Sequence, residues 1–144
     1  MRSHARVVVI GGGVVGCSVL VHLVSWIAPA LQFDTTSEGQ WVPRGLEVAL
    51  LGWQALLVGN FAWLANILYF PGLVMVLLRL WRTAALLGTV ALAVGLHTLA
   101  LVGKDVPADE GGVTRMALAH PRAGFYLWMA SMAVVAVQMP SSLM

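Results

Sequence analysis

Hydrophobic residues along this 144-residue chain fall in long blocks rather than in alternation. Val7 to Leu31 is 25 residues without a charged side chain, and Val48 to Leu78 is a longer uncharged run. Thr83 to Val102 adds 20 residues and Gly124 to Met139 another 16. About 20 apolar residues suffice to cross the hydrocarbon core of a bilayer as a helix. The blocks are apolar all round, which is the pattern of a helix facing lipid. Between them, QFDTTSEGQWVPRG and GKDVPADEGGVTRMALAHPRA are polar and broken by Gly and Pro. Such stretches predict water-exposed loops.

The blocks therefore predict an all-α fold, an integral membrane helical bundle with four transmembrane helices plus one interfacial or re-entrant helix. The expected spans are residues 7–31, 61–81, 83–102 and 124–140, the short helix is 46–60, and the outer loops are 32–45 and 103–123. All 144 residues form a single membrane domain in this reading. Lys and Arg concentrate on the cytoplasmic side of membrane helices. Arg2 and Arg6, and then Arg79 and Arg82, place both termini in the cytoplasm and the protein in the bacterial inner membrane as a multi-pass chain. That orientation allows residues 46–80 one net crossing, which is why 46–60 is read as lying on or re-entering the outer face.

Composition points the same way. Hydrophobic residues make up 60% of the chain and charged residues 10%, against about 25% charged in ordinary globular domains. Mean hydropathy is +0.88. A net charge of +2, scattered over the chain, gives no case for nucleic acid. The single Cys17 excludes an intrachain disulfide and a multi-cysteine metal site. His22 and His97, without a third ligand at depth, make a poor metal site, and none is assigned. The expected partner is the lipid bilayer, with a homo-oligomer or a membrane partner protein beside it.

The first block carries a second pattern. RVVVIGGGVVGCSVLVHL reads as a strand, then Gly11-x-Gly13-x-x-Gly16, then a helix, the spacing that brings backbone close to a pyrophosphate. Residues 2–23 resemble the N-terminus of FAD-dependent oxidoreductases of the sarcosine and dimethylglycine dehydrogenase kind. That resemblance implies FAD held at Gly11, Gly13 and Gly16, and an oxidoreductase fragment as one function. The acid expected about 20 residues beyond the first glycine would be Asp34, but no apolar second strand precedes it. The block's lack of charge favours the span, with no cofactor.

From about residue 26 to 139 the chain resembles small uncharacterised bacterial multi-span inner-membrane proteins, GNFAWLAN at residues 59–66 being the most distinctive piece. This resemblance implies a location and a fold; no activity comes with it.

Polar groups within apolar helices face neighbours, because leaving them unpaired in an apolar medium is costly. Gly11, Ser18, His22 and Ser25 share one stripe of the first block, and Gly12-x-x-x-Gly16 beside it permits close helix approach. Ala84, Gly88, Ala91, Gly95 and Thr98 form a small-residue seam on the third. These stripes are the expected packing faces. Gln54, Asn60 and Asn66 form the densest polar set in an apolar stretch, read either as polar packing at the Gly59 break and near Pro71 or as a ligand site. No catalytic triad, carboxylate pair or P-loop is discernible. The function expected first is a structural or partner-binding membrane component without enzymatic activity. The alternative is a small-molecule or ion-handling membrane protein.

Overall fold

The computed structural model describes residues 2–35, 39–107 and 115–137, with 2–12 and 107 entering through their backbone alone. Helix α1 (Arg2–Ile27) leads into strands β1 (Leu31–Thr35) and β2 (Gly39–Trp41). Helix α2 (Gly45–Leu51) follows and tightens into a 3₁₀ helix over Gly52–Val58. Helices α3 (Leu64–Leu77) and α4 (Trp81–Leu96) form a hairpin, and a second 3₁₀ helix, His97–Leu101, extends α4. Strands β3 (Asp105–Pro107) and β4 (Arg115–Pro121) precede α5 (Ala123–Ala136).

The four strands make one antiparallel sheet in the order β2-β1-β4-β3. Phe33 sits opposite both Trp41 and Leu118 in the two ladders, and its ring stacks on Trp41 at 5.4 Å. A register shift between Gln32 and Phe33 turns Gln32 inward as well, where the guanidinium of Arg122 donates to its side-chain oxygen. The sheet closes one end of the helices. Its apolar cluster of Leu31, Phe33, Leu118 and Phe125 continues through Met129 of α5. Further along α5, Met132 and Val135 belong to a second cluster, built with Tyr69, Leu73 and Val76 of α3 and Ala84 and Ala91 of α4.

Close packing of that bundle depends on small residues. A Cβ added to Gly88 would lie 2.6 Å from the backbone nitrogen of Ala136, so α4 and α5 approach as closely as they do only with glycine there. At Gly95 an added Cβ would meet the sulfur of Met129 at 2.9 Å. Ala84, Gly88, Ala91, Gly95 and Thr98 are all buried within the chain.

Two expectations from the sequence do not hold. The fold is not an all-α membrane bundle of four spans: the polar connections at 32–45 and 103–123 contribute a sheet, with residues 36–38 and 108–114 outside the described ones. Among the residues whose side chains are described, only one helical stretch, Trp81–Leu101 with 21 residues, is long and apolar enough to cross a membrane. Helices α3 and α5 have 14 residues each, about 21 Å at the helical rise, against a hydrocarbon core of about 30 Å. The multi-pass inner-membrane location, with both termini cytoplasmic, rested on that span count and falls with it. The expected span 61–81 is interrupted because α3 ends at Leu77 and the chain reverses at Arg79. For 124–140, the helix ends at Ala136, and 138–140 lie outside the described residues.

Candidate functional site

Where the sheet meets the helices, the chain encloses a cavity of about 260 Å³. Its wall is mostly apolar and carries six aromatic rings: Trp26 from α1, Phe33 from β1, Trp41 from β2, Trp63 just before α3, and Phe125 and Trp128 from α5. Two of these indoles are fixed by their N–H groups. Trp63 Nε1 donates to the carbonyl of Ala49 at 2.8 Å, tying α2 to the start of α3. Trp128 Nε1 donates to Asn66 Oδ1, also at 2.8 Å. With the N–H groups so engaged, the rings offer the cavity chiefly apolar surface.

The polar groups on this wall are few. Gln54, Asn60 and Asn66, six residues apart in sequence, all reach it. Their roles differ. Asn60 is buried, and both ends of its carboxamide are taken: Oδ1 accepts from Ala62 N at 3.0 Å and Nδ2 donates to His97 O at 2.9 Å. The backbone N–H of Phe61 donates to His97 Nδ1 at 3.2 Å, so the proton of a neutral His97 sits on Nε2. Asn60 and His97 together hold the break after the first 3₁₀ helix against the end of α4. Asn66 gives its oxygen to Trp128, and the amide nitrogen's two protons remain for other partners. Gln54 is exposed at the rim. Glu47 also lines the cavity, with its carboxylate accepting the Arg44 backbone N–H at 3.0 Å at the start of α2.

One helical turn further from the sheet lies a buried polar network. Ser18 Oγ is 2.8 Å from the Tyr69 hydroxyl and donates to the Ser131 carbonyl at 2.9 Å. Ser131 Oγ donates to the Trp128 carbonyl at 2.7 Å and lies 3.0 Å from His22 Nδ1. The imidazole of His22 stacks on the Tyr69 ring at 4.4 Å and 12°. Burial strips water from both rings. It lowers the His22 pKa from 6.5 to about 4 and raises that of Tyr69, the latter partly offset by hydrogen bonding with Ser18 and Ser131. His22 is thus neutral at ordinary pH. The network touches the cavity wall through Trp128, and Ser25, one of the lining residues, donates to the His22 carbonyl at 2.5 Å.

Of the stripe expected to pack, Ser18, His22 and Ser25 are all buried. Gly16 is different: it is exposed, and a Cβ there, or at Gly13, would meet nothing within 4 Å. Gly11 and Gly12 fall among the residues described by backbone alone. The whole Arg2–Ile27 segment is one helix, so Gly11, Gly13 and Gly16 do not form the strand-to-helix turn on which a dinucleotide fingerprint depends. Tyr69, Ser131 and Trp63 escaped the sequence reading. A lone hydroxyl in a uniformly apolar helix was the available signal for Tyr69 and Ser131, since a buried hydroxyl requires a partner.

Comparison with protein families, curated proteins and solved structures finds no match for this chain.

Proposed function

We propose that this chain is a non-enzymatic binding protein that holds a small, uncharged, largely apolar molecule in the aromatic cavity beside the sheet. The observation that carries the reading is the cavity itself, about 260 Å³ walled by Trp26, Phe33, Trp41, Trp63, Phe125 and Trp128. Small-molecule sites are of this kind: mostly apolar concavities, from about 300 Å³ upward, with a few polar groups that set orientation. This one is small, so a compact ligand suits it. The amide protons of Asn66 are the polar contact on offer, which favours a ligand with a carbonyl or ether oxygen. Glu47 on the same wall disfavours an anion.

The test is a titration of the purified chain with N-phenyl-1-naphthylamine, an uncharged apolar fluorophore, read by energy transfer from tryptophan. Saturable binding that Ala55→Phe weakens at least tenfold, with thermal unfolding unchanged, supports the cavity. Binding that Ala55→Phe leaves intact places the probe on the exterior and overturns the proposal.

A second reading, a membrane-associated component acting by contact rather than by ligand, is favoured by the exterior. Leu57, Leu86, Phe61 and Ile67 are among many large apolar side chains exposed there. Apolar surface on that scale marks a lipid or protein contact. The small-residue seam does not supply such a contact, because it is filled within the chain.

A further inference from the structure

The turn joining α3 to α4 stands at the end of the bundle opposite the sheet. Leu77, Leu78 and Leu80 there are 61%, 60% and 50% exposed, and Arg79 and Arg82 are exposed beside them. Trp81, half-buried, begins α4. From Val48 to Gly103 these two arginines are the only charged residues, so no carboxylate on the hairpin offsets them. The described acids, Asp34 and Asp105 on the sheet and Glu47 on α2, belong to the other end.

The backbone of this turn adds a separate observation. α3 ends in a Schellman motif: Leu80 N donates to Met75 O at 2.9 Å and Arg79 N to Val76 O at 3.0 Å. The residue at the reversal takes left-handed φ, ordinarily a glycine's place. Here it is Arg79, at φ +61°, the one non-glycine with positive φ among the described residues. The turn itself asks for no side chain at that position. Arginine stands at this strained position, exposed at the tip of the hairpin.

We propose that the α3–α4 turn, Leu77–Arg82, docks on the headgroups of anionic phospholipids. Arg79 and Arg82 meet the phosphates, and Leu77, Leu78 and Leu80 enter the boundary between headgroups and acyl chains. A guanidinium forms paired hydrogen bonds to phosphate, and its apolar stem lies along hydrocarbon while the charged head stays in the polar layer. Trp81 suits the same boundary. The acids at the far end then point away from the anionic surface. This inference rests on the membrane-associated reading and narrows it to one element and one lipid chemistry.

The experiment is co-flotation of the full chain with vesicles of phosphatidylcholine, with and without phosphatidylglycerol, at low and high salt. The expected result is partitioning that rises with phosphatidylglycerol and weakens with salt. It should fall about fivefold for each of Arg79→Gly and Arg82→Gln, from roughly 1 kcal/mol per basic residue at an anionic surface. Arg79→Gly relieves the strained backbone, so misfolding does not account for a loss there. Equal partitioning into both vesicles, or partitioning that the double variant leaves unchanged, overturns the headgroup proposal while the membrane-associated reading stands. Failure to float with either vesicle overturns both.

Discussion

Nδ1 of His22 lies 3.0 Å from the hydroxyl of Ser131, more than a hundred residues along the chain, and the direction of that bond follows from its surroundings. Ser131 has one hydroxyl proton, and it goes to the Trp128 carbonyl. The proton between Ser131 and His22 therefore belongs to Nδ1, which fixes the tautomer. By the same logic Ser18 spends its proton on the Ser131 carbonyl, so Tyr69 donates to Ser18. Two short relays, Tyr69 to Ser18 to backbone and His22 to Ser131 to backbone, cross from α3 and α1 to α5.

Ser131→Ala leaves the His22 N–H without its acceptor in a buried site. The expected loss is roughly 1–3 kcal/mol of unfolding free energy. Ser18→Ala strips the Tyr69 hydroxyl of its acceptor at similar cost. Both serines bond to the same stretch of α5, so the double variant should fall short of the sum. Denaturant melts of the four proteins check this; strict additivity would show the relays to be independent.

Acid should loosen this part of the bundle. The pKa of His22 in the folded chain is depressed to about 4 from 6.5, so the unfolded chain binds more protons between those values. Stability from the neutral imidazole is full above pH 6.5, declines as pH falls, and is lost below about pH 4. The nearest titratable group is Tyr69, raised by burial and neutral throughout this range, and Ser18 and Ser131 carry no charge. His22→Gln should flatten the pH dependence of the melting temperature between pH 6.5 and 4. An unchanged slope in that variant would assign the acid sensitivity to carboxylates elsewhere.

Two glycines that look equivalent in the sequence should answer oppositely to alanine. Gly88→Ala drives a methyl to 2.6 Å from the backbone of α5, which cannot yield as a side chain can. Overpacking of this kind costs about 1–3 kcal/mol. Gly16→Ala meets nothing within 4 Å and lies inside α1, so it should stabilise by roughly 0.5–1 kcal/mol through helix propensity. Thermal unfolding of the pair separates a packing glycine from a tolerated one.

The same pair shows what could be read from the residues alone. Spacing locates a stripe of small residues, but it leaves open whether a neighbour approaches it; Gly88 has α5 against it and Gly16 has open space. Helical stretches were legible because long apolar blocks permit little else. The sheet was not, since β1 pairs through only five residues and its alternation is broken at the buried Gln32. Gln54, Asn60 and Asn66 were legible as polar outliers, and the cavity that joins them was not, because its other walls come from α1, the sheet and α5. Reading apolar blocks as spans also overlooked helix length. The reversal between α3 and α4 was legible from the Arg79 and Arg82 pair, though no glycine or proline fixes it at Arg79.

Asn60 and Gln54, both on the cavity wall, should separate a structural amide from a dispensable one. Asn60 receives the Ala62 N–H and gives its own N–H to the His97 carbonyl, bridging the helix break before α3 to the end of α4. Leucine has nearly the same shape and can make neither bond, leaving a buried donor and a buried acceptor unmet. Asn60→Leu should therefore cost roughly 2–4 kcal/mol, the sum of two unsatisfied groups at about 1–2 each. Gln54→Leu removes an exposed amide from the rim and should stay within about 0.5 kcal/mol of the parent. Asn60→Asp keeps the oxygen and forfeits the amide N–H, so it should recover the bond to Ala62 and not the one to His97. Chemical denaturation of these three variants tests the assignment. If Asn60→Leu proves as stable as Gln54→Leu, the break before α3 is held by Trp63 and the His97 ring, and the carboxamide of Asn60 becomes free to serve a ligand.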